Sequence, residues 1–511
     1  MPGLLGSPYA TLASNTIDYW MLPDEPAMTS ARVLTALERA PVLDDASLSI
    51  YVHVPFCAQR CRFCAFSGGN SLRWKEAERY AQLVARQLQL LHARTQLGAF
   101  PIRAVNIGGG SPDLLREHVG VVLDAIRGLP GFGEHTELAV ELTLSTATEG
   151  FVEQLVAAET TKVSFGVQSL DPAVRAAMRQ PRSWQALPRV LDWIDGRIPV
   201  VNADLITGLP GQDVARVVAD LEALMDEPRI GGISSYLLTP GAAPALVAAM
   251  EDGTIPPCPG PQAQALMRLH TYTTFLRRGW QRRGTNTYVD PARISPAVLA
   301  RLAGDECIAG GRYESFVLGV GPQAVSILPG ARVENLVEIE AWCEAIERGQ
   351  PPWFLPKCSD VHQRDLALWC FPLRWEHLPR HRLDRLREQG APYEPQLRTL
   401  ATLVEQGLVI EHEDRHELSI LGEVFMGHMV RDLKQVAPRR AVDDYVRRGN
   451  ALGRALSQGL VPAGNLANNR QRTAQWLDPS RSGSPSIPCV TGSPTAGPTA
   501  GPTAGPTAGN G

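Results

Sequence analysis

The sequence lacks several features that would assign the chain to a common class. No run of about 18 apolar residues occurs in its 511 residues, which argues against a transmembrane helix. Lys and Arg (49) nearly balance Asp and Glu (53), so the net charge of −4 predicts neither nucleic-acid nor membrane-surface binding. The N-terminus has no basic start followed by an apolar core, so no secretory signal is expected. We therefore expect a cytoplasmic protein of about two to four domains.

Cysteine is also scarce, and its distribution matters more than its number. Nine cysteines are too sparse for a disulfide scaffold in a chain of this length. Three of them lie in one short run, Cys57, Cys61 and Cys64. The other six are dispersed among mostly apolar neighbours and are interpreted as buried or incidental thiols: Cys258, Cys307, Cys343, Cys358, Cys370 and Cys489.

The C-x3-C-x2-C spacing of this run favours a metal group bound by soft ligands. In a reducing compartment, such thiolates suit an iron–sulfur cluster or zinc. Structural zinc normally takes four ligands, and no fourth Cys or His follows at a usual spacing. His53 precedes the run but lies in an alternating, strand-like segment, where a structural histidine is the simpler interpretation. Three thiolates leave one iron of a four-iron cluster open for chemistry, so we favour the cluster.

Strand and helix signals alternate from residue 48 onwards. Strands are predicted at Leu48–Val54, Ile102–Ile107, Leu138–Leu142, Lys162–Val167, Val200–Ile206 and Ile233–Leu238. This alternation predicts parallel βαβ crossovers in an α/β sheet or barrel. The cysteine run, a Gly108–Pro112 loop, Glu141, Gln168 and Asp204 fall at or just after strand ends, where an α/β barrel builds its active site.

The remaining patterns divide the chain into five parts. They are an N-terminal leader (1–45), the α/β core (46–245), a barrel extension with a glycine segment (246–355), a winged-helix-like domain (356–435) and a mostly disordered tail (436–511). The tail is predicted from four Pro-Thr-Ala-Gly repeats, which cannot form a core. Mixed charges favour a lid or packing role for the winged-helix-like domain over DNA binding.

Together the motifs resemble a known family. Residues 51–66 are similar to the radical S-adenosylmethionine superfamily, and in particular to oxygen-independent coproporphyrinogen III oxidase and its relatives. Four further segments occur in that family's order: Gly108–Pro112, Val163–Leu170, Asn202–Gln212 and Leu318–Ser326. The resemblance covers roughly residues 46–435. It implies a partial (β/α)6-type barrel followed by a C-terminal helical, winged-helix-like domain.

The resemblance also implies cofactors, partners and site residues. Cys57, Cys61 and Cys64 would hold a [4Fe-4S] cluster, one S-adenosylmethionine would chelate the open iron, and a second would bind beside it. Residues carried over as contacts to these two molecules are Tyr51, Phe63, Gly109, Gly110, Ser111, Glu141, Gln168 and Asp204, and more loosely Thr239 and Val325. A small-molecule substrate and an external electron donor such as flavodoxin or ferredoxin are implied as well. No catalytic side chain is identified.

Several positions depart from the pattern of individual branches. The oxidase usually has another Cys where this chain has Phe66, and its Arg-Tyr-x-Ser-Tyr-Pro-type segment is not found in residues 1–45. The haem-chaperone motif His-Asn-x-x-Tyr-Trp is replaced by residues 311–316, Gly-Arg-Tyr-Glu-Ser-Phe. The Arg expected twelve residues after Gln168 is replaced by Gln180.

These departures lead to a specific prediction of function. Two branches share the Cys-x-Phe ending: the class C radical methyltransferases and cyclopropane-forming enzymes, and the anaerobic haem-opening enzymes. We therefore expect methylation or cyclopropanation of an sp2 carbon in a natural-product substrate, through a methylene radical from the second S-adenosylmethionine. The alternatives are a tetrapyrrole enzyme, either coproporphyrinogen III oxidase-like or haem-opening, and a haem-trafficking protein.

Overall fold

The computed structural model describes most of the chain before residue 435. The described residues are 7, 9, 30–38, 47–64, 74–180, 183–238, 240, 243–302, 316–328, 331–358, 377–389 and 393–434. All of them belong to one compact unit, residues 1–464; a second unit, residues 465–511, lies outside the described residues. The predicted disordered tail and Thr239 also lie outside them. None of the described helices is long and apolar enough to cross a membrane.

Six parallel strands form the core and follow one another in chain order. They are β1 (Leu48–Val54), β2 (Ile102–Gly109), β3 (Glu137–Leu142), β4 (Lys162–Gln168), β5 (Val200–Thr207) and β6 (Gly232–Leu237). Their bounds differ from the predicted strands by no more than a residue or two. The periodicity of the sequence was sufficient here because each strand has a continuous apolar face.

Helices follow or connect these strands. They are α1 (Ser30–Glu38), α2 (Trp74–Arg94), α3 (Val119–Arg127), α4 (Glu149–Ala157), α5 (Pro172–Ala177), α6 (Leu187–Ile194), α7 (Val214–Asp226), α8 (Pro244–Glu251), α9 (Pro261–Arg277), α10 (Pro296–Arg301) and α11 (Ile339–Glu347). Short 3-10 helices lie at Gln96–Ala99, Pro112–His118 and Ser183–Ala186. Side-chain oxygens cap several helices, among them Thr148 before α4, Asp171 before α5 and Asp213 before α7.

Further strands extend the sheet at both sides. Beside β1 lie β9 (Phe316–Val320), β10 (Val325–Leu328), β11 (Ala331–Asn335) and β12 (Trp353–Cys358); beyond β6 lie β8 (Thr287–Val289) and β7 (Gln281–Arg282). Strand β1 therefore pairs with β2 and β9, while β6 pairs with β5 and β8. Because β1 and β6 have these other partners, the barrel is partial, and the predicted α/β fold is confirmed.

Alternate residues of the parallel strands differ in polarity. On β1, Ile50 and Val52 belong to the main apolar core, and Tyr51 and His53 point to the opposite face because the side-chain period of a strand is two. Residues that are paired in register on neighbouring strands share a face of the sheet. The pairs on the same face as Tyr51 are polar: Tyr51 with Asn106, Glu141 with Ser164, Ser164 with Asn202, and Asp204 with Ser234. One face of the sheet packs on helices, and the other is a polar interior.

A smaller antiparallel sheet follows. Its elements are β13 (His377–Pro379), α12 (Arg380–Gln389), α13 (Glu394–Glu405), β14 (Val409–Glu411), β15 (Arg415–Leu418) and α14 (Ile420–Lys434), and β15 pairs with both other strands. Two helices followed by a hairpin have the winged-helix-like order expected from the sequence. Glu423 of α14 joins this part to the barrel: its carboxylate accepts a 2.5 Å hydrogen bond from Tyr288 and lies 3.3 Å from Arg282.

Candidate active site

The cysteine run lies in the loop that follows β1. Backbone hydrogen bonds from the end of β2 hold the start of this loop. The Gly110 N–H donates to the Val54 carbonyl at 2.7 Å, and the Ser111 N–H donates to the Phe56 carbonyl at 2.6 Å. These bonds fix the chain immediately before Cys57. The loop therefore enters the site in a defined direction.

The glycines of the β2 end are required by close packing. A Cβ at Gly110 would lie 2.2 Å from the Phe56 carbonyl oxygen, and one at Gly108 would lie 2.1 Å from a carboxylate oxygen of Glu141. Gly109 has φ +100°, and a Cβ there would lie 2.4 Å from the His53 ring. Larger residues would displace the end of β1 or the carboxylate, so these glycines have a packing role apart from any ligand.

The C-terminal end of α5 holds the middle of the cysteine loop. The backbone N–H of Arg62 donates to the Met178 carbonyl at 3.0 Å, and its guanidinium donates to the Ala177 carbonyl at 2.6 Å. The side chain of Gln59 donates to the Arg179 carbonyl at 2.8 Å. The loop is therefore tied to two separate elements, β2 and α5.

The three thiols of the loop are half-buried and form no disulfide with one another. Burial raises the pKa of Cys57 to about 11, the nearby Cys64 adds to this rise, and a hydrogen bond with Ser111 opposes it. Burial also raises the pKa of Cys61. A hydrogen bond from Gln180, whose Nε2 lies 3.4 Å from the Cys61 sulfur, opposes this rise. Without metal, Cys57 and Cys61 hold their protons at neutral pH, and binding of a metal group displaces these protons.

The thiols fit an iron–sulfur cluster. Each cysteine of a four-iron cluster binds a different iron, and three cysteines leave the fourth iron open. The three half-buried thiols of this loop match that donor set.

Glu141 lies at the polar interior near the glycine loop. Its carboxylate accepts hydrogen bonds from the Asn106 side chain at 3.0 Å and from the Gly109 N–H at 3.2 Å. Burial raises the pKa of Glu141, and the two hydrogen bonds oppose that rise. Nearby, the Tyr51 hydroxyl lies 3.1 Å from His53 Nδ1. Burial lowers the pKa of His53 to about 4, so this histidine is neutral at neutral pH.

Asp204 is the second carboxyl group of the interior. Ser164 donates to it at 2.9 Å and the Asn202 side chain at 2.8 Å, while Asn202 also donates to Ser234 at 3.0 Å. Burial raises the pKa of Asp204 to about 7, and the charge of Glu141 adds to the rise. Asp204 is therefore a carboxyl group that binds or releases a proton near neutral pH.

Gln168 and Phe63 occupy distinctive positions at the site. Gln168 ends β4 with φ +65°, a left-handed conformation that is uncommon outside glycine, and it follows a register shift between β4 and β5. Phe63 packs against a small apolar cluster that includes Val174 and Met178 of the α5 region. Val325 begins β10, two strands from β1, and pairs there with Glu334.

The structure thus brings most of the predicted site residues to one region. Tyr51, Gly109, Glu141 and Asp204 are close to one another, and Ser111 reaches Cys57. The sequence analysis missed the side chains that orient the carboxylates: Asn106, Ser164, Asn202 and Ser234. The feature of the sequence that could have revealed these side chains is a polar residue at alternate positions of strands that are otherwise apolar.

Comparison with known proteins identifies the domain that carries these residues. Residues 51–224 match the radical SAM superfamily. This part of the chain is a radical SAM domain. Its cofactors are accordingly a [4Fe-4S] cluster and S-adenosylmethionine, and that prediction is confirmed; the second S-adenosylmethionine stays a prediction.

The relatives of this chain include oxidases and a haem chaperone. It is 27% identical to the oxygen-independent coproporphyrinogen III oxidase of Paracoccus denitrificans over 316 residues, 60% of this chain and 68% of the relative. It is 30% identical to the heme chaperone HemW of Mycobacterium tuberculosis over 191 residues, 37% of this chain and 49% of the relative.

A solved structure has the same fold. Coproporphyrinogen III oxidase (HemN) from Escherichia coli, described as a radical SAM enzyme, superposes with a TM-score of 0.66 at 18% identity. The match covers 80% of this chain and 94% of the solved one. It therefore supports the fold over nearly the whole length of that protein.

The comparisons correct the predicted activity. The expectation of a methyltransferase or cyclopropanase is wrong, because the relatives that match over 306 to 337 residues are coproporphyrinogen III oxidases. The error came from giving one position, Phe66 in the Cys-x-Phe ending, more weight than the similarity of the whole core. The tetrapyrrole alternative is favoured instead.

Proposed function

We propose that this protein is a coproporphyrinogen III oxidase-like radical SAM enzyme that oxidatively decarboxylates a porphyrinogen without oxygen. The observation that carries the proposal is the 27% identity to such an oxidase over 316 residues. That alignment is longer than the radical SAM domain at residues 51–224, so it extends beyond what superfamily members share. In this reaction a propionate side chain loses carbon dioxide, one hydrogen atom, which the 5′-deoxyadenosyl radical takes, and one electron, which passes to an external electron acceptor.

Cys57, Cys61 and Cys64 hold the cluster in this proposal. The support is their spacing, their half-burial and the two anchors of the loop, at the ends of β2 and α5. When bound, the cluster and S-adenosylmethionine supply a 5′-deoxyadenosyl radical that removes a hydrogen atom from the substrate. The protein's own part is to fix the loop and to exclude water, for which Phe63 packs on the apolar cluster beside α5.

The polar interior binds S-adenosylmethionine in this proposal. Glu141 and Asp204 are suited to an ammonium group or ribose hydroxyls because their oxygens are already oriented by amide side chains, Asn106 and Asn202 respectively. The backbone of Gly109 to Ser111 lies beside Glu141 and the first cysteine, where amide groups can approach a carboxylate. The further contacts are Tyr51, Phe63 and Gln168, with a second S-adenosylmethionine beside the first.

The proposal also specifies partners. A cluster that starts each reaction with one electron needs a reductant, and we infer a small electron-transfer protein such as a flavodoxin or ferredoxin. An open iron is sensitive to oxygen, so the reducing cytoplasm is the compartment in which the enzyme acts. The substrate is a small molecule.

An anaerobic turnover assay tests the proposal. The purified protein is reconstituted with iron and sulfide and incubated with coproporphyrinogen III, S-adenosylmethionine and a chemical reductant. Mass spectrometry should find a tetrapyrrole that has lost carbon dioxide and hydrogen, together with 5′-deoxyadenosine. Cys61→Ala should abolish both products, whereas Cys258→Ala, also half-buried but outside the cysteine loop, should retain them. Unchanged coproporphyrinogen beside a fully loaded cluster would refute the substrate assignment.

A haem chaperone is the second candidate, because the 30% identity to HemW lies within the core. The two functions differ in what happens to the tetrapyrrole. Stable haem binding, seen as a change in the haem absorption spectrum, without turnover of coproporphyrinogen III would favour the chaperone. Turnover without stable haem binding would favour the oxidase.

A further inference from the structure

Gln180 lies directly against one of the cysteine sulfurs. Its side-chain Nε2 is 3.4 Å from Cys61 Sγ, within hydrogen-bond distance for sulfur. Its other side-chain atom, Oε1, is buried and has no hydrogen-bond partner among the described residues. The amide is therefore oriented by its contact with the sulfur alone.

The backbone around Gln180 is fixed. Its N–H donates to the Arg175 carbonyl at 2.9 Å, and the preceding residue, Arg179, has φ +54°, which turns the chain at the end of α5. The same turn receives the hydrogen bond from Gln59 of the cysteine loop. Loop and turn thus form one unit, and the amide is presented to the sulfur by rigid neighbours.

The orientation of the amide follows from the chemistry of the sulfur. A cysteine that binds iron does so as a thiolate, which only accepts hydrogen bonds. The amide oxygen facing it would be repelled, so Nε2 must face Cys61 once the cluster is bound. The contact is then an N–H···S hydrogen bond to a cluster ligand.

We propose that Gln180 sets the reduction potential of the cluster by donating this hydrogen bond to Cys61. Reduction adds one electron, and part of the added negative charge resides on the ligand sulfurs. An N–H donor stabilises that charge, so it makes the potential less negative. The inference rests on the proposed assignment of Cys61 as a cluster ligand, and it is independent of which tetrapyrrole is the substrate.

The test is a redox titration of the reconstituted protein, followed by the electron paramagnetic resonance signal of the reduced cluster. Gln180→Leu and Gln180→Met keep the approximate length of the side chain but remove the donor, and both should shift the midpoint potential to a more negative value. Gln180→Arg retains N–H groups and should restore the potential to the wild-type value or above it. Gln59→Leu is the matched control, because it removes a bond between the same loop and turn without contacting sulfur, and its potential should be unchanged.

Iron and sulfide contents separate the possible failures. Wild-type potentials in both donorless variants, at full iron content, would overturn the role of Gln180. An equal shift in Gln59→Leu would also overturn it, since the effect would then come from loosening the loop. Retention of a full cluster by Cys61→Ala would instead refute the ligand assignment in the proposed function.

Discussion

Replacing Gly110 with alanine tests how the cysteine loop is held. The new Cβ would lie 2.2 Å from the Phe56 carbonyl oxygen and 2.7 Å from that of Val54. Both are backbone atoms, so no side chain can rotate away to make room. The end of β2 must therefore separate from the chain that leads into Cys57.

The expected loss of stability follows from the contacts involved. The separation weakens two backbone hydrogen bonds, from Gly110 to Val54 and from Ser111 to Phe56, each with a net value of about 0.5–1.5 kcal/mol. Overpacking in a tightly packed site adds about 1–3 kcal/mol. We expect Gly110→Ala to lower the free energy of unfolding by about 2–6 kcal/mol and to reduce the iron bound after reconstitution.

Urea unfolding of the metal-free protein and iron analysis of the reconstituted protein measure these two effects. Gly150→Ala is the matched control: a Cβ there meets nothing within 4 Å, and the residue lies in α4. It should stabilise the protein by about 0.5–1 kcal/mol and leave iron binding unchanged. If Gly110→Ala unfolds like the wild type and binds a full complement of iron, the close approach of β2 does not constrain the loop.

Three further predictions concern other parts of the molecule. The pKa of Asp204 in the folded protein is raised from 3.8 to about 7, so protonation of this carboxyl group favours folding. This stabilisation is complete below about pH 4, and it is lost as the pH rises through 7. Unfolding experiments from pH 4 to 8 should therefore show that the wild-type protein loses stability as the pH rises and that Asp204→Asn loses less. Equal slopes of stability against pH in the two proteins would contradict this prediction. Glu423→Ala should cost about 3–5 kcal/mol in thermal or urea unfolding, because the buried Tyr288 hydroxyl loses its acceptor and Arg282 loses its charge partner. The exposed Glu394→Ala should change stability by less than about 0.5 kcal/mol, and equal effects would refute the anchoring role of Glu423. Cys57→Ala should prevent formation of the brown cluster and Cys343→Ala should not, as absorbance after reconstitution will show.

The parallel core could be predicted from the sequence because local patterns determine it. Strands such as Ile102–Gly109 carry apolar residues on the helix-facing side, and helices such as α4 begin at a capping residue. The additional strands β10 to β12 were not predicted beyond a glycine segment, because short antiparallel strands depend on pairing with distant partners rather than on a strong local pattern. The contact of Val325 with the cofactor stays a prediction; its strand lies two places from β1.

The site was predictable only in part. The cysteine spacing favoured an iron–sulfur cluster, and the resemblance of several segments to a known family implied S-adenosylmethionine. Asn106 reaches Glu141 from the neighbouring strand, 35 residues away in sequence, so only the sheet register brings the two together. Asn202 lies on the same strand as Asp204, two residues away. The activity was misjudged because Phe66 is a single position, and one position does not determine what a whole barrel binds.

Transfer of a hydrogen atom from the substrate is the most direct test of the central claim. Coproporphyrinogen III with deuterium on its propionate methylene groups is incubated anaerobically with the reconstituted enzyme, S-adenosylmethionine and a reductant. If the protein is a coproporphyrinogen III oxidase-like radical SAM enzyme, mass spectrometry will find deuterium in the 5′-deoxyadenosine and carbon dioxide lost from the tetrapyrrole. Formation of 5′-deoxyadenosine without deuterium, beside an unchanged tetrapyrrole, would contradict the claim.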